Sequence, residues 1–365
     1  MLKAVRFPGK YIQGYNILYS LENEIKTLSK EKPFVLFGPF VYKYVLDKIF
    51  IDKLMKFGIV KEFGGECSDE EIDKCVSIAT QYNCDSIIGI GGGKVLDTAK
   101  AIANTLNMPV IIVPTSAASD APCSALSVIY TSNGKFKKYM FFNKNPDIVL
   151  VDSKIIAQSP ARLLVAGIGD ALATCFEAEA CKTKYVKNMA GGFVTNVAFN
   201  IAKLCYELLL KYSFQAKLAC ENKIVTPALE HIIEANILLS GIGFESCGLA
   251  AAHAIHNGLT MLPETHEFYH GEKVAFGLLT SLFLTDKPKD VIDNIYNYYI
   301  SIGLPISFKD IGLENIDDNK LLESIDYICA EGETIYNEPI SFDKVDLLNA
   351  LKMANTHGEH KKYKY

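Results

Sequence analysis

Short apolar runs alternate with amphipathic stretches along the first 160 residues. Four runs are almost wholly apolar, at residues 34–37, 86–90, 110–113 and 148–151. Runs of this length without polar alternation indicate strands that are buried on both faces, as in a parallel sheet covered by helices. Between them, Ser68 and Glu71 form a capping-box pattern that predicts a helix reaching about Gln81. The pattern is that of an α/β domain.

The pattern changes twice further along the chain. Residues 128–130 and 136–141 flank Asn133-Gly134, a dipeptide typical of tight turns, so a β-hairpin is expected there. After residue 160 the strand patterns disappear, and Ser159-Pro160 favours a helix start. Helical patterns then recur, near residues 170–179, 193–212, 226–242, 247–260, 271–285, 288–301 and 343–355. We therefore expect two domains, an α/β domain over 1–160 and an all-helical domain over 161–365.

Composition narrows the class of protein. The chain has 365 residues, 49% hydrophobic and 22% charged, which is typical of a globular protein. A net charge of −5 argues against nucleic acid as the main partner. The first residues lack the apolar core of a secretory signal, and no long apolar window predicts a membrane span. The ten cysteines form no CxxC pair, which favours reduced thiols and a cytoplasmic protein.

The stretch GIGGGKVLDTAK, residues 89–100, places three glycines between a predicted strand and a predicted helix. Helix N-termini expose unpaired N–H groups, and glycines let a ligand approach them closely. Gly91, Gly92 and Gly93 are therefore candidates for a phosphate-binding loop, to which Lys94 would add charge and which Asp97 would cap or orient. The alternative is a tight strand-to-helix turn that binds no ligand.

A second polar loop follows the next strand, over residues 114–122. It is rich in hydroxyls and small residues, and Asp120 is its one charge. Ligands of doubly wound sheets bind at the carboxyl ends of the strands, so this loop is a candidate site. Asp120 could instead cap a turn before Pro122.

The predicted helical half contains candidate metal ligands. His253 and His256 are three residues apart and share a helix face, and His270 stands at the entry to another helix. Asp170 lies among Ala, Leu and Thr, where a charge needs a partner because an unpaired buried carboxylate is costly. Two histidines and one carboxylate would make a catalytic-type metal site. Spacing alone does not choose between His256 and His270, and Asp170 could serve a cap or a salt bridge.

A nucleotide-like loop in one half and a metal-like set in the other suggest a cleft where the two meet. A nucleotide cofactor bound beside a metal ion indicates an enzyme that transfers hydride. The metal would bind an alcohol oxygen as a Lewis acid and favour its alkoxide, and the alkoxide carbon would release hydride to a nicotinamide.

Several segments, in order along nearly the whole chain, resemble the glycerol dehydrogenases of the iron-containing or group III alcohol dehydrogenases. These segments are GIGGGKVLDTAKA (89–101), DAPCSALSVIYT (120–131), KNPDIVLVD (144–152), GIGDALATCFEAEAC (167–181), VTPALE (225–230), GFESCGLAAAHAIHNGLT (243–260), HGEKVAFG (270–277) and EGETIYNEP (331–339). The resemblance implies a Rossmann-like N-terminal domain followed by an all-α C-terminal domain, the architecture shared with dehydroquinate synthase. It also implies the reaction of glycerol with NAD to give dihydroxyacetone and NADH, and homo-oligomers, commonly octamers.

The resemblance assigns roles to individual residues. A divalent metal, usually zinc with iron as an alternative, would be held by Asp170, His253 and His270, with His256 lining the site. Asp120 matches the position that contacts the polyol substrate. The dinucleotide contacts fall on Gly93, Lys94, Thr115, Ser124, Leu126 and Tyr130, with Gly92 and Asp97 adjacent.

The chain departs from the family pattern at three positions. Gly38 stands where relatives that prefer NAD usually carry an Asp on the adenosine ribose, which predicts weaker discrimination between NAD and NADP. Ala118 replaces a hydroxyl residue, and Cys175 stands where a Trp is frequent. The alternatives are therefore a dehydrogenase of another 1,2-diol, an NADP-tolerant alcohol dehydrogenase and, less favoured because the site segments carry few basic residues, an NAD- and zinc-dependent lyase of the dehydroquinate synthase type.

Overall fold

A computed structural model describes residues 2–39, 41 and 46–362 of the chain. Its strands are β1 (Tyr11–Gly14), β2 (Pro33–Phe37), β3 (Ile59–Glu62), β4 (Ser86–Gly91), β5 (Val110–Pro114), β6 (Leu126–Tyr130), β7 (Phe136–Phe141) and β8 (Ile148–Asp152). The four strands predicted from apolar runs are β2, β4, β5 and β8, and every residue in them is buried. This two-sided burial explains why these strands show no polar alternation.

Six strands form one parallel sheet in the order β1-β8-β5-β4-β2-β3. The remaining two, β6 and β7, form the predicted antiparallel hairpin, in which Gly134 has a φ of +82°. In the large sheet, Gly91 at the end of β4 is paired with Pro114 at the end of β5. The loops that follow these two strands therefore begin side by side at the carboxyl edge of the sheet.

The α-helices among the described residues are α1 (Leu21–Thr27), α2 (Lys48–Phe57), α3 (Asp69–Gln81), α4 (Gly93–Leu106), α5 (Ser153–Gln158), α6 (Ala161–Lys184), α7 (Asn196–Glu221), α8 (Pro227–Glu234), α9 (Ser240–Cys247), α10 (Ala251–Leu259), α11 (His270–Leu284), α12 (Lys289–Ile302), α13 (Asp318–Ile328) and α14 (Lys344–Lys362). A π-helical turn over Ala235–Leu239 joins α8 to α9. None of these helices is by itself long and apolar enough to cross a bilayer.

The chain divides into two compact units. The α/β unit comprises Arg6–Ala161 together with Ala219–Gly241, and it contains both sheets. The helical unit comprises Met1–Val5, Arg162–Leu218 and Ile242–Tyr365. The units thus use more chain segments than the expected boundary near residue 160 implies, because the stretch around α8 belongs with the α/β unit. The expected fold class, a Rossmann-like α/β part with a helical C-terminal part, is confirmed.

One predicted helix is wrong in detail. The chain near residues 247–260, where a helical pattern was found, is not one uninterrupted helix. It is broken at Gly248, whose φ of +113° disfavours other residues, and α10 begins only at Ala251. Gly258 lies inside α10, where a Cβ would come within 2.2 Å of Ile328. The glycine is needed there for close packing rather than as a helix end.

Candidate active site

A close helix crossing brings together the elements that carry Asp170 and His270. A Cβ on Gly271 would lie 1.8 Å from the carbonyl oxygen of Ala166, and a Cβ on Gly169 would lie 2.6 Å from that of Gly271. Only glycines permit this approach of α6 and α11. Asp170 directly follows Gly169, and His270 directly precedes Gly271, so both residues lie at the crossing.

The side chains of Asp170, His253 and His270 form one cluster in the helical unit. Asp170 Oδ1 lies 3.3 Å from His253 Nε2 and 3.2 Å from His270 Nε2, and one ligand atom from each residue fits within 4.8 Å of the others. Asp170 is fully buried and the His253 side chain is 10% exposed, whereas the His270 side chain is 42% exposed. The cluster is therefore reached from solvent at the His270 side.

The carboxylate of Asp170 is buried with two imidazoles beside it but without a hydrogen bond among the described residues. A buried carboxylate is costly unless a positive charge compensates it, so the site fits a cation. One carboxylate oxygen and two imidazole nitrogens suit zinc and other divalent transition metals, and a set of three leaves a coordination position for a substrate.

The charges of the cluster are strongly coupled. Burial opposes ionisation of Asp170, but His270 and His253 outweigh it and hold the pKa of the carboxyl below its usual value. Burial likewise opposes protonation of His253, but Glu177 and Asp170 raise the pKa of its imidazole well above the usual value. Without a cation, a proton on His253 neutralises part of the negative charge. A metal therefore competes with that proton.

His256 lies beside the cluster and contacts it through His270. Its Nε2 is 2.9 Å from His270 Nδ1, and its Nδ1 is 3.1 Å from Asn257 Oδ1. The Asn257 amide in turn donates to Glu333 Oε2 at 3.2 Å. Burial, then His270 and Lys273, hold the pKa of His256 well below its usual value, so the ring is neutral. A neutral His256 accepts the His270 Nδ1–H, which leaves His270 Nε2 directed at Asp170.

Glu177 also contacts the cluster, and we did not predict it from the sequence. Its Oε2 is 2.6 Å from His253 Nδ1. The available signal was an acid seven residues after Asp170 on the same apolar helix, which places both on one face. The contact joins residues 76 positions apart, and no local pattern shows it.

The predicted phosphate loop lies in the α/β unit, where β4 runs into α4. Gly92 is the N-cap residue of α4, with a φ of −84°, and a Cβ on Gly92 or Gly93 would meet nothing within 4 Å. A Cβ on Gly91 would instead lie 2.8 Å from Val95. Gly91 therefore serves packing, whereas Gly92 and Gly93 leave open space above the N–H groups of a helix N-terminus. Such a surface can receive an anion.

Lys94 and Asp97 are both engaged within the unit. Lys94 Nζ is 2.6 Å from Glu66 Oε1 and lies 5.1 Å from the centre of the half-buried Tyr130 ring. Asp97 is buried, and its Oδ2 accepts a hydrogen bond of 3.0 Å from the Val128 N–H. Asp97 therefore fastens α4 to the β6–β7 hairpin, which carries Tyr130.

Lys100 is a second residue that sequence reasoning missed. Its ammonium group is buried, pairs with Asp97 Oδ1 at 3.0 Å and donates to the carbonyls of Ala121 and Leu126 at 2.9 and 2.5 Å. It holds the segment that contains Ser124, whose hydroxyl donates to the Ala121 carbonyl at 3.2 Å. A charged residue in the buried face of α4 was the available signal.

Thr115 and Asp120 occupy the loop after β5. The Thr115 N–H donates to the Gly91 carbonyl at 3.0 Å, which joins this loop to the glycine loop. Asp120 is buried, and its Oδ2 accepts a hydrogen bond of 2.8 Å from the hydroxyl of Ser240, the first residue of α9. The structure thus places the loops that carry Gly92 and Thr115 side by side in the α/β unit, and brings the predicted metal ligands together in the helical unit.

Comparison with known proteins gives consistent results. Residues 8–153 match the family model described as iron-containing alcohol dehydrogenase. The chain is 53% identical to a glycerol dehydrogenase of Thermotoga maritima, over 99% of both chains, and 48% identical to one of Escherichia coli, over 98% of both. The crystal structure of glycerol dehydrogenase from Schizosaccharomyces pombe aligns with a TM-score of 0.94 at 37% identity, covering 100% of this chain and 93% of the other.

Proposed function

The chain belongs to the iron-containing alcohol dehydrogenase family, and on that basis we propose that it is a metal-dependent oxidoreductase that converts glycerol and NAD to dihydroxyacetone and NADH. The observation that supports this proposal most directly is the cluster of Asp170, His253 and His270 in a chain 53% identical to a glycerol dehydrogenase. In this reaction, C2 of glycerol loses a hydride to the nicotinamide and its hydroxyl loses a proton.

Asp170, His253 and His270 would hold the metal, for which we propose zinc, with iron as the alternative that the same donors accept. A divalent cation supplies a Lewis acid that makes an alcohol hydroxyl easier to deprotonate. The three residues supply one negative charge and two neutral nitrogens. The exposure of His270 leaves a side on which a polyol can enter.

The α/β unit would bind the dinucleotide, which supplies the hydride acceptor. Gly92 and Gly93 leave room for the pyrophosphate at the start of α4. The remaining proposed contacts come from the start of α4, the loop after β5 and the segment that leads into and forms β6: Lys94, Asp97, Thr115, Ser124, Leu126 and Tyr130. Of these, Asp97 acts indirectly, because its carboxylate already binds the Val128 N–H and Lys100.

Asp120 is the proposed substrate contact. Ser240 donates to one of its carboxylate oxygens, which fixes the side chain in a buried loop. A carboxylate held in this way can accept a hydrogen bond from a polyol hydroxyl. Glycerol offers three hydroxyls, so a fixed acceptor away from the reacting carbon would orient it.

The first test is the dependence of NADH formation on metal and on Asp170. With glycerol and NAD, the zinc-loaded protein should form NADH, and chelation should stop it. Asp170→Asn should lose both activity and bound zinc while NADH binding, followed by fluorescence, is retained. Asp290→Asn, at an exposed carboxylate in α12, is the matched control. Turnover by chelated protein, or equal loss of NADH binding in Asp170→Asn, would contradict the proposed role.

We also propose a homo-oligomer, with the octamer as the expected form. The supporting observation is a set of exposed apolar side chains on α7, namely Val197, Leu204, Leu210, Phe214 and Leu218. Leu210, Phe214 and Leu218 are four residues apart and share a helix face. Light scattering on the purified protein measures the mass, and replacing Phe214 by Glu should lower it.

A further inference from the structure

Two carboxylates of one helix hold the imidazole of His253 from opposite sides. Asp170 and Glu177 are seven residues, or two turns, apart on α6 and therefore lie on the same face. Asp170 Oδ1 is 3.3 Å from Nε2 of His253, and Glu177 Oε2 is 2.6 Å from Nδ1. Glu177 is only 2% exposed, so its negative charge is directed at this ring rather than at solvent.

The other oxygen of Glu177 binds the start of the helix that carries His253. Glu177 Oε1 accepts hydrogen bonds from the N–H groups of Ala250, at 2.8 Å, and His253, at 3.0 Å. These N–H groups are free of helical partners because the chain breaks at Gly248 and α10 begins at Ala251. One side chain thus fixes both the backbone and the ring of His253.

We propose that Glu177 is a positioning residue for metal binding: it keeps the proton of His253 on Nδ1 and so leaves Nε2 as the metal-binding nitrogen. A carboxylate can only accept a hydrogen bond from the ring, so the Nδ1–H tautomer is favoured. The lone pair of Nε2 then faces Asp170 and His270. This inference rests on the proposed metal site, because it assigns a role to Glu177 only if His253 is a ligand.

Glu177→Gln tests the inference with almost no change of shape. If the amide oxygen keeps the two backbone N–H groups, the amide NH₂ faces Nδ1, the ring proton moves to Nε2 and the lone pair is lost from the site. If the amide flips, its oxygen faces Nδ1 instead, and the two N–H groups at the start of α10 lose their acceptor. We expect the dissociation constant for Co²⁺ to rise about 10- to 100-fold, as for other partners of metal-binding histidines. The d–d absorption of bound Co²⁺ should change as well.

Glu338→Gln is the matched control. Glu338 is also buried and accepts a hydrogen bond of 3.2 Å from the Ala251 N–H at the same helix start. Its bond goes to the backbone rather than to an imidazole. If capping of α10 were the whole role of Glu177, the two variants would lose Co²⁺ affinity alike. We expect Glu338→Gln to bind Co²⁺ nearly as the unmodified chain does.

Glu177→Asp separates positioning from folding, because it keeps a carboxylate that can accept the Nδ1–H. It should bind Co²⁺ more tightly than Glu177→Gln, with circular dichroism showing that each variant is folded. Unchanged Co²⁺ affinity in Glu177→Gln, or equal losses in Glu177→Gln and Glu338→Gln, would overturn the inference. If the unmodified chain fails to bind Co²⁺, or Asp170→Asn binds it equally well, the proposed metal site is wrong. The inference about Glu177 is then wrong as well.

Discussion

His256 Nε2 lies 2.9 Å from His270 Nδ1, so the ring of His270 is held between a neutral imidazole on one side and Asp170 on the other. His256 thereby has a definite role in the structure beyond lining the site. It accepts the His270 Nδ1–H and leaves His270 Nε2 directed at Asp170.

Replacing His256 by Ala should therefore weaken metal binding through His270. We expect zinc affinity to fall about 10- to 100-fold, since His256 is a partner of a proposed ligand. Competition against a chelating dye measures this, and NADH fluorescence should show unchanged dinucleotide binding. His266→Ala is the control, because that exposed ring bonds to the Thr260 carbonyl instead. Full zinc affinity in His256→Ala would contradict the role.

Adjacent glycines of the loop after β4 should respond differently to alanine. A Cβ at Gly92 meets open space, so Gly92→Ala should fold normally but crowd a bound pyrophosphate. Loss of one hydrogen bond to a charged group, about 1.5–3 kcal/mol, corresponds to a roughly tenfold or greater rise in the KM for NAD. Gly91→Ala would clash with Val95 and should lower the free energy of unfolding by about 1–3 kcal/mol. Equal KM values in Gly92→Ala and the unmodified chain would exclude the phosphate role.

Local chemistry explains which features the sequence predicted. Fully buried strands such as β4 appear in the sequence as apolar runs, and the dipeptide Asn133-Gly134 predicts the turn of the β6–β7 hairpin. The edge strands β1 and β3, with the sequences YIQG and IVKE, were missed because a half-covered edge strand needs no continuous apolar run.

The site was harder to predict because its contacts join distant residues. Spacing placed His253 and His256 on one helix face, but the choice of His270 came from resemblance. Its physical basis, the crossing at Gly169 and Gly271, joins segments about a hundred residues apart and has no local pattern. Glu177 and Lys100 were visible as charges in apolar helices, but their partners were not.

Gly38 provides a test of cofactor preference. We expect the unmodified chain to discriminate weakly between NAD and NADP, because no acidic side chain at this position repels a ribose 2′-phosphate. A Cβ at Gly38 would make only ordinary contacts, 3.5 Å from Val95 and 3.6 Å from Val41, so Gly38→Asp should fold. The substitution should raise the preference for NAD, measured as the ratio of kcat/KM values, about tenfold or more. The new carboxylate would accept a hydrogen bond from the ribose hydroxyl of NAD and repel the 2′-phosphate of NADP. A strong NAD preference in the unmodified chain would show that another residue discriminates.

Glu338 predicts a dependence of stability on pH that does not involve the metal ligands directly. Burial, together with the charge of Glu177, raises the pKa of Glu338 to about 7, although the Ala251 N–H opposes this. The ordinary carboxyl value is 4.5. Between these values the folded chain keeps a proton that the unfolded chain has lost, so the free energy of unfolding falls as pH rises through this window. The shift corresponds to roughly 3 kcal/mol over the whole window.

Glu338→Gln should remove this contribution, because the amide accepts the Ala251 N–H without titrating. Urea unfolding of both proteins at about pH 5, 6 and 8, after metal removal, measures the difference, because these pH values cover most of the window between 4.5 and about 7. Titrating groups elsewhere are common to both proteins and cancel in the comparison. The unmodified chain should lose more stability than Glu338→Gln between pH 5 and pH 8. Parallel profiles would mean that Glu338 is already ionised in the folded chain at low pH, and that solvent or a cation reaches the start of α10.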